Sequence, residues 1–183
     1  MRTKERWEKS VRFGYMSEYF TPRIVKDLVT LPEPTVNTED SWFIYGPVSS
    51  GKTILAAFLM LKEQEKIWLA GGPSEDQKCY FVALTDMFED IKSSFNSDSQ
   101  KAVLDFYKNM HLLVIDDFGT IKPSDWALNI LYSIINHRYE QEKRTIITSN
   151  LSLAEIAKVL GDDRITARIE RMGLIVKKKS INE

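Results

Sequence analysis

The stretch Gly46-Pro47-Val48-Ser49-Ser50-Gly51-Lys52-Thr53 constrains this chain more than any other part of it. It fits G-x-x-x-x-G-K-[ST], a loop that works only where a strand hands over to a helix. Glycines at both ends let the backbone curl, so that successive N–H groups face one anion. Lys52 then reaches the β- and γ-phosphates of a nucleoside triphosphate, and the Thr53 hydroxyl ligates Mg²⁺. The flanks agree with this placement. Ser41–Tyr45 reads as a buried strand and Ile54–Leu61 as an apolar helix. ATP and Mg²⁺ are the cofactors this pattern implies.

Beyond the loop, strand and helix alternate. A second strand is expected over Lys78–Leu84, after the loop Gly71–Asp76. Helices follow at Asp86–Phe95 and Asp98–Asn109, the latter opened by the capping pattern Ser97-x-x-Gln100. Leu112–Ile115 is a third strand. A long helix runs from the Ser124 N-cap to Tyr139, with Leu128, Leu131, Ile134 and Ile135 at helical spacing. Thr145–Thr148 is a fourth strand, and Ser152-x-x-Glu155 caps the next helix. Asp163–Met172 makes one more helix, stopped by Gly173 before a last strand at Leu174–Val176. Such alternation predicts an α/β fold, a parallel five-stranded sheet flanked by helices on both faces. The expected division is an amino-terminal arm and lead-in over 1–40 and one nucleotide-binding domain over 41–183, without a sizeable carboxyl-terminal lid.

With 183 residues, 43% of them hydrophobic and 28% charged, the chain suits one globular domain with a substantial core. A formal net charge of −1 excludes polyanion binding driven by overall charge, so any nucleic-acid contact must be local. The single cysteine, Cys79, rules out an internal disulfide and fits a reducing compartment. No run approaches the roughly 18 apolar residues of a membrane span, and no signal peptide opens the chain, so a cytoplasmic setting without membrane partners is expected. His111 and His137 have no metal-ligand company, and Trp42, Trp68 and Trp126 read as packing residues.

Ligands of open α/β sheets bind beyond the carboxyl ends of the strands. Four apolar residues followed by Asp116-Asp117 give a Walker B pattern there. Asp116 is the expected Mg²⁺ ligand, through water, and Asp117 the base for the attacking water. Asp reaches about one methylene less than the Glu common at such a position, which favours slow hydrolysis. The fourth strand ends in Thr148-Ser149-Asn150. The Asn150 amide either hydrogen-bonds the γ-phosphate and the attacking water or serves as an ordinary strand-end residue.

Together these residues resemble the AAA+ ATPases, specifically the DnaC/IstB group of bacterial and phage helicase loaders and transposition helpers. The resemblance covers roughly Trp42 to Val176. It rests on Gly46–Thr53, Leu112–Gly119 (LLVIDDFG), Arg138-Tyr139, Thr145–Leu151 (TIITSNL) and Gly161–Ile169 (GDDRITARI). It implies an AAA+ type fold, and it makes Asn150 the sensor-1 residue. Arg168 becomes an arginine finger completing a neighbouring subunit's site, the alternative being a solvated face shared with Arg164. Arg138 has a rival claim to that role, or forms a surface ion pair with a Glu. A finger acting in trans implies head-to-tail self-association as a ring or spiral, and is worth about 10³–10⁵ in rate, roughly 4–7 kcal/mol.

The resemblance further implies a hexameric replicative helicase as partner and single-stranded DNA as ligand, with contacts from the helices between the second and third strands. Lys92, Ser94 and Lys101 are the residues there, although Glu89, Asp90, Asp98 and Asp105 dilute the basic character and favour a mixed-charge solvated surface. The arm is more basic: Arg2, Lys4, Arg6, Lys9 and Arg12 face only Glu5 and Glu8, which reads as a DNA contact, a helicase-docking helix using Trp7 and Val11, or a frayed terminus. Two features depart from the group. Only about forty residues precede the first strand, and the run Lys177-Lys178-Lys179-Ser180-Ile181-Asn182-Glu183 offers no sensor-2 arginine. The functions in view are an ATP-dependent helicase loader, an IstB-like transposition helper, and a nucleotide-regulated adaptor that hydrolyses little.

Overall fold

The structure, a computed structural model, describes residues 22–30, 39–71, 78–94, 100–119 and 122–179. The basic arm, the loop after Gly71, the Ser97 cap and the chain after Lys179 lie outside them. In chain order the elements are α1 (Pro22–Thr30), β1 (Ser41–Tyr45), α2 (Lys52–Leu69), β2 (Cys79–Ala83), α3 (Leu84–Ser93), α4 (Gln100–Asn109), β3 (Leu112–Asp116), α5 (Asp125–Glu140), β4 (Arg144–Ser149), α6 (Leu153–Leu160), α7 (Arg164–Met172) and β5 (Gly173–Lys177). The five strands lie in the order β2-β3-β4-β1-β5, and every pairing is parallel. This is the five-stranded parallel α/β sheet of an AAA+-like P-loop fold.

Parallel strands covered on both faces should be apolar where they are covered; β1 and β3 are so between their ends, and β4 carries Ile146 and Ile147 at its centre between polar residues. Alternation along each strand separates two cores. Trp42, Ile44, Leu112, Val114 and Ile146 face α2 and the α1 residues Ile24 and Leu28; Phe43, Leu113, Ile115 and Ile147 face α3 to α7. The helix α2 is buried nearly all round, with Ala56, Ala57, Leu59 and Met60 fully enclosed, because it is held between sheet and α1. Part of the expected lead-in is therefore core.

Local signals place most helix ends. The Ser124 hydroxyl accepts from Ala127 N–H at 3.3 Å, and Ser152 with Glu155 forms a full capping box. The α3 helix departs from expectation. It begins at Leu84, directly after β2 and two residues before Asp86, since Leu84, Met87 and Ile91 must reach the core together. Strands β1 and β5 approach so closely that a Cβ on Gly173 would sit 2.1 Å from the Ser41 carbonyl oxygen.

Two charged clusters lie within the structure. Arg138 is not the surface ion pair considered from sequence. It is fully buried, and its guanidinium donates to the carbonyls of Tyr107, Lys108, Met110 and Arg144 and to the Thr145 hydroxyl at 2.6–3.1 Å. Burial pulls its pKa well below the usual guanidinium range, down to about 9. On the other side of the sheet, buried Glu63 of α2 meets His111 at 2.8 Å and Arg144 at 2.5 Å, tying α2 to the amino ends of β3 and β4.

Candidate nucleotide site

The loop leaves β1 at Gly46, whose N–H donates to the Ser149 carbonyl at 3.2 Å. Ser49 and Gly51 take positive φ (62° and 80°), which turns the chain into the first turn of α2. A positive φ at a serine costs on the order of 1–2 kcal/mol, a strain typical of ligand-gripping loops. The Lys52 ammonium folds back and donates to the Gly46 and Pro47 carbonyls at 3.0 and 2.7 Å. Burial lowers its pKa, opposed by the carboxylates of Asp117 and Asp116. Val48 stands at the tip, 75% exposed. The Ser50 hydroxyl is buried without a partner among the described residues, an orphan that an oxygen-rich ligand in the loop would satisfy.

Opposite the loop, Asp116 ends β3, 1% exposed. The Thr53 hydroxyl donates to both of its carboxylate oxygens at 3.1 Å. These two side chains, 63 positions apart, supply hard oxygen donors side by side. Mg²⁺ takes one or two protein oxygens and completes its shell with water and phosphate, so this pair fits it. No cluster of three or more His, Cys, Asp or Glu that could hold a metal occurs among the described residues.

Sequence reasoning gave Thr148 no role, and it supplies the scaffold of the carboxylates. Its hydroxyl donates to Asp116 Oδ1 and accepts from the Asp117 N–H at 3.2 Å, while its carbonyl accepts from Phe118 N–H at 2.8 Å. Ser149 adds a bond to the Phe118 carbonyl at 2.6 Å. Strand period would have found Thr148: it lies two residues beyond Ile146, on the α2 face, at the carboxyl end of its strand. Asp117 is exposed, with φ 56°, a conformation Asp tolerates better than most residues. Asn150 is exposed just past β4.

Arg168 does not meet its own loop. From α7 it donates to the Tyr132 hydroxyl at 2.9 Å, to Asn136 Oδ1 and to the Arg164 carbonyl at 3.0 Å. Its guanidinium also lies 4.8 Å from the Tyr132 ring centre. Arg164 covers the same ring at 4.7 Å and pairs with Asp162 at 2.6 Å, so the two arginines are engaged rather than merely solvated. Neither Tyr132 nor Asn136 carried a signal readable in sequence. Of the three DNA-contact residues, Lys92 and Lys101 are exposed, whereas Ser94 is 6% exposed and its hydroxyl donates to the Ile91 carbonyl at 2.7 Å.

Residues 6–179 match the family described as IstB-like ATP binding protein. The chain belongs to that family. Among its relatives, the uncharacterized protein YqaM of Bacillus subtilis (strain 168) is 27% identical over 139 residues, 73% of this chain and 41% of YqaM. The replicative helicase loader DnaC of Escherichia coli (strain K12) is 25% identical over 124 residues, 67% of this chain and 47% of DnaC. The matches span less than half the length of these two relatives. A crystal structure of the DnaC helicase loader superposes with a TM-score of 0.66 at 25% identity, covering 96% of this chain and 99% of that one. Family and fold thus agree with the geometry: an ATP-binding P-loop domain of the IstB/DnaC kind. Among the described residues no helix is long and apolar enough to cross a membrane.

Proposed function

We propose that this IstB-family protein is an ATP-dependent loader of a hexameric replicative helicase onto single-stranded DNA, with hydrolysis coupled to assembly or release of the helicase. The observation that carries this reading is the near-complete coextension with the DnaC loader structure, 96% of one chain on 99% of the other. E. coli DnaC, a relative at 25% identity, is named a replicative helicase loader.

Chemically, the P-loop N–H groups and Lys52 would hold the polyphosphate, and Thr53 with Asp116, the latter through water, would hold Mg²⁺, which when bound would supply positive charge against the phosphates. Asp117 accepts the proton of the attacking water, and Asn150 orients that water against the γ-phosphate. Arg168 reaches the site of the next subunit in a head-to-tail ring or spiral, so the isolated chain hydrolyses slowly. Support for Arg168 comes from its engagement away from its own loop; among the described residues three of its five N–H groups are used, which leaves two for an incoming anion. Lys92 and Lys101 on α3 and α4 are the proposed DNA contacts, with the basic arm as a docking segment.

The test is affinity capture from the host with the wild type and Lys52→Ala. Nucleotide-dependent recovery of a hexameric helicase, abolished by Lys52→Ala, is the expected result. Recovery of a transposase instead would favour the transposition-helper role. No single-turnover hydrolysis, with or without single-stranded DNA, would leave a nucleotide-regulated adaptor.

A further inference from the structure

We infer that Lys178, at the end of β5, is a nucleotide-site residue, its ammonium contacting the polyphosphate of ATP in cis from the side opposite Asp116. The inference rests on the nucleotide-binding reading of the P-loop and adds a residue that the motif does not contain.

Register carries the argument. Strand β5 pairs parallel with β1, setting Val176 beside Ile44 and Lys177 beside Tyr45. The pairing continues one residue further, where the Lys178 N–H donates to the Tyr45 carbonyl at 2.7 Å. Gly46 and Lys178 therefore leave the sheet side by side. A Cβ on Gly46 would lie 2.3 Å from the Lys178 carbonyl oxygen and 3.3 Å from the Lys178 Cβ. Only glycine fits there, so the first P-loop residue is packed directly against this lysine. Gly46 also gives its carbonyl to Lys52 and its N–H to Ser149. The end of β5 is thus joined through one residue to the lysine of the motif.

Alternation selects Lys178 from the three consecutive lysines. Val176 packs against the core on the α2 side. Two residues on, Lys178 falls on that same face. Lys177 falls on the opposite face, where its charge acts on Glu155 of α6. Lys178 is half-buried, whereas Lys177 and Lys179 are exposed. On the α2 face, the carboxyl edge of the sheet thus presents Asp116 from β3, Thr148 from β4, Gly46 from β1 and Lys178 from β5. Metal-binding oxygen stands at one side of the loop and a lysine at the other, the polarity that complements a magnesium-bound polyphosphate. A nucleic-acid phosphate has the same chemistry as a ligand for lysine, but the packing against Gly46 places Lys178 at the P-loop.

Calorimetric titration of the full chain with ATP and ADP tests this, using Lys178→Met, Lys178→Arg, Lys177→Met, Lys179→Met and Lys52→Ala. Loss of one charged phosphate contact should weaken both nucleotides about tenfold in Lys178→Met. Lys178→Arg should stay close to wild type, and the two neighbouring variants within about twofold, at unchanged melting temperature. Wild-type affinity in Lys178→Met overturns the inference while Lys52→Ala still reports on the P-loop. Equal losses in all three Met variants overturn it in favour of a diffuse field. Loss confined to single-stranded DNA binding overturns it in favour of a nucleic-acid contact. A wild type that binds no ATP removes the P-loop reading and this inference together.

Discussion

At the scale of single residues, the site is a set of side chains whose partners lie far away in the chain. Asp116 is held by Thr53 and Thr148, and Asp117 is aimed by a backbone bond to Thr148 and a positive φ. If Asp117 is the base, Asp117→Asn keeps ATP affinity within about twofold and lowers turnover by 10²-fold or more, read by single-turnover hydrolysis. Lys52, Thr53 and Asp116 were legible in the sequence because their chemistry sits in short motifs. Thr148 was legible only as part of a strand, since its role depends on β3 and β4 being neighbours. Buried Glu63 makes a second residue-scale prediction. The hydrogen bond with His111, then the charge of Arg144, hold its carboxyl below the usual 4.5 against the cost of burial. A depressed folded pKa gives stability that is present above the unfolded value and lost as pH falls through the folded one. Urea melts of the wild type should thus weaken steeply below about pH 4.5, with a shallower slope in Glu63→Gln.

Among the elements, Arg138 joins the last turn of α4, the end of α5 and the start of β4 through four carbonyls and one hydroxyl. Those carbonyls at the α4 end lack helix partners, and a guanidinium satisfies several at once, as a lysine ammonium cannot. Arg138→Met should cost about 3–5 kcal/mol in a denaturant titration, because several buried acceptors are orphaned together. Helix ends with local signals, Ser124 and Ser152, were placed correctly from sequence. The start of α3 was not, because core packing of Leu84, Met87 and Ile91 outweighs the absence of a side-chain cap at Ala83. Propensity acts within a turn or two; burial acts across the whole sheet.

For the whole molecule, the proposed assembly makes a test that no monomer property can satisfy. Arg168→Ala should lower hydrolysis at least 10³-fold, and adding Lys52→Ala subunits, which keep their arginine, should restore part of it. No rescue in a proven co-assembly would argue against action in trans. Tyr132→Phe, which removes one of the bonds holding Arg168, should lower turnover without changing ATP affinity.

The sequence alone determined the alternation of strands and helices, the parallel sheet and the phosphate loop, because each depends on residues within about one turn or one strand of each other. Tertiary structure decided the rest. Thr53 meets Asp116, Thr148 steadies both acidic residues, Arg138 is buried, and Lys178 stands against Gly46. Each depends on strand order and register, which are fixed only when distant apolar segments pack into one core.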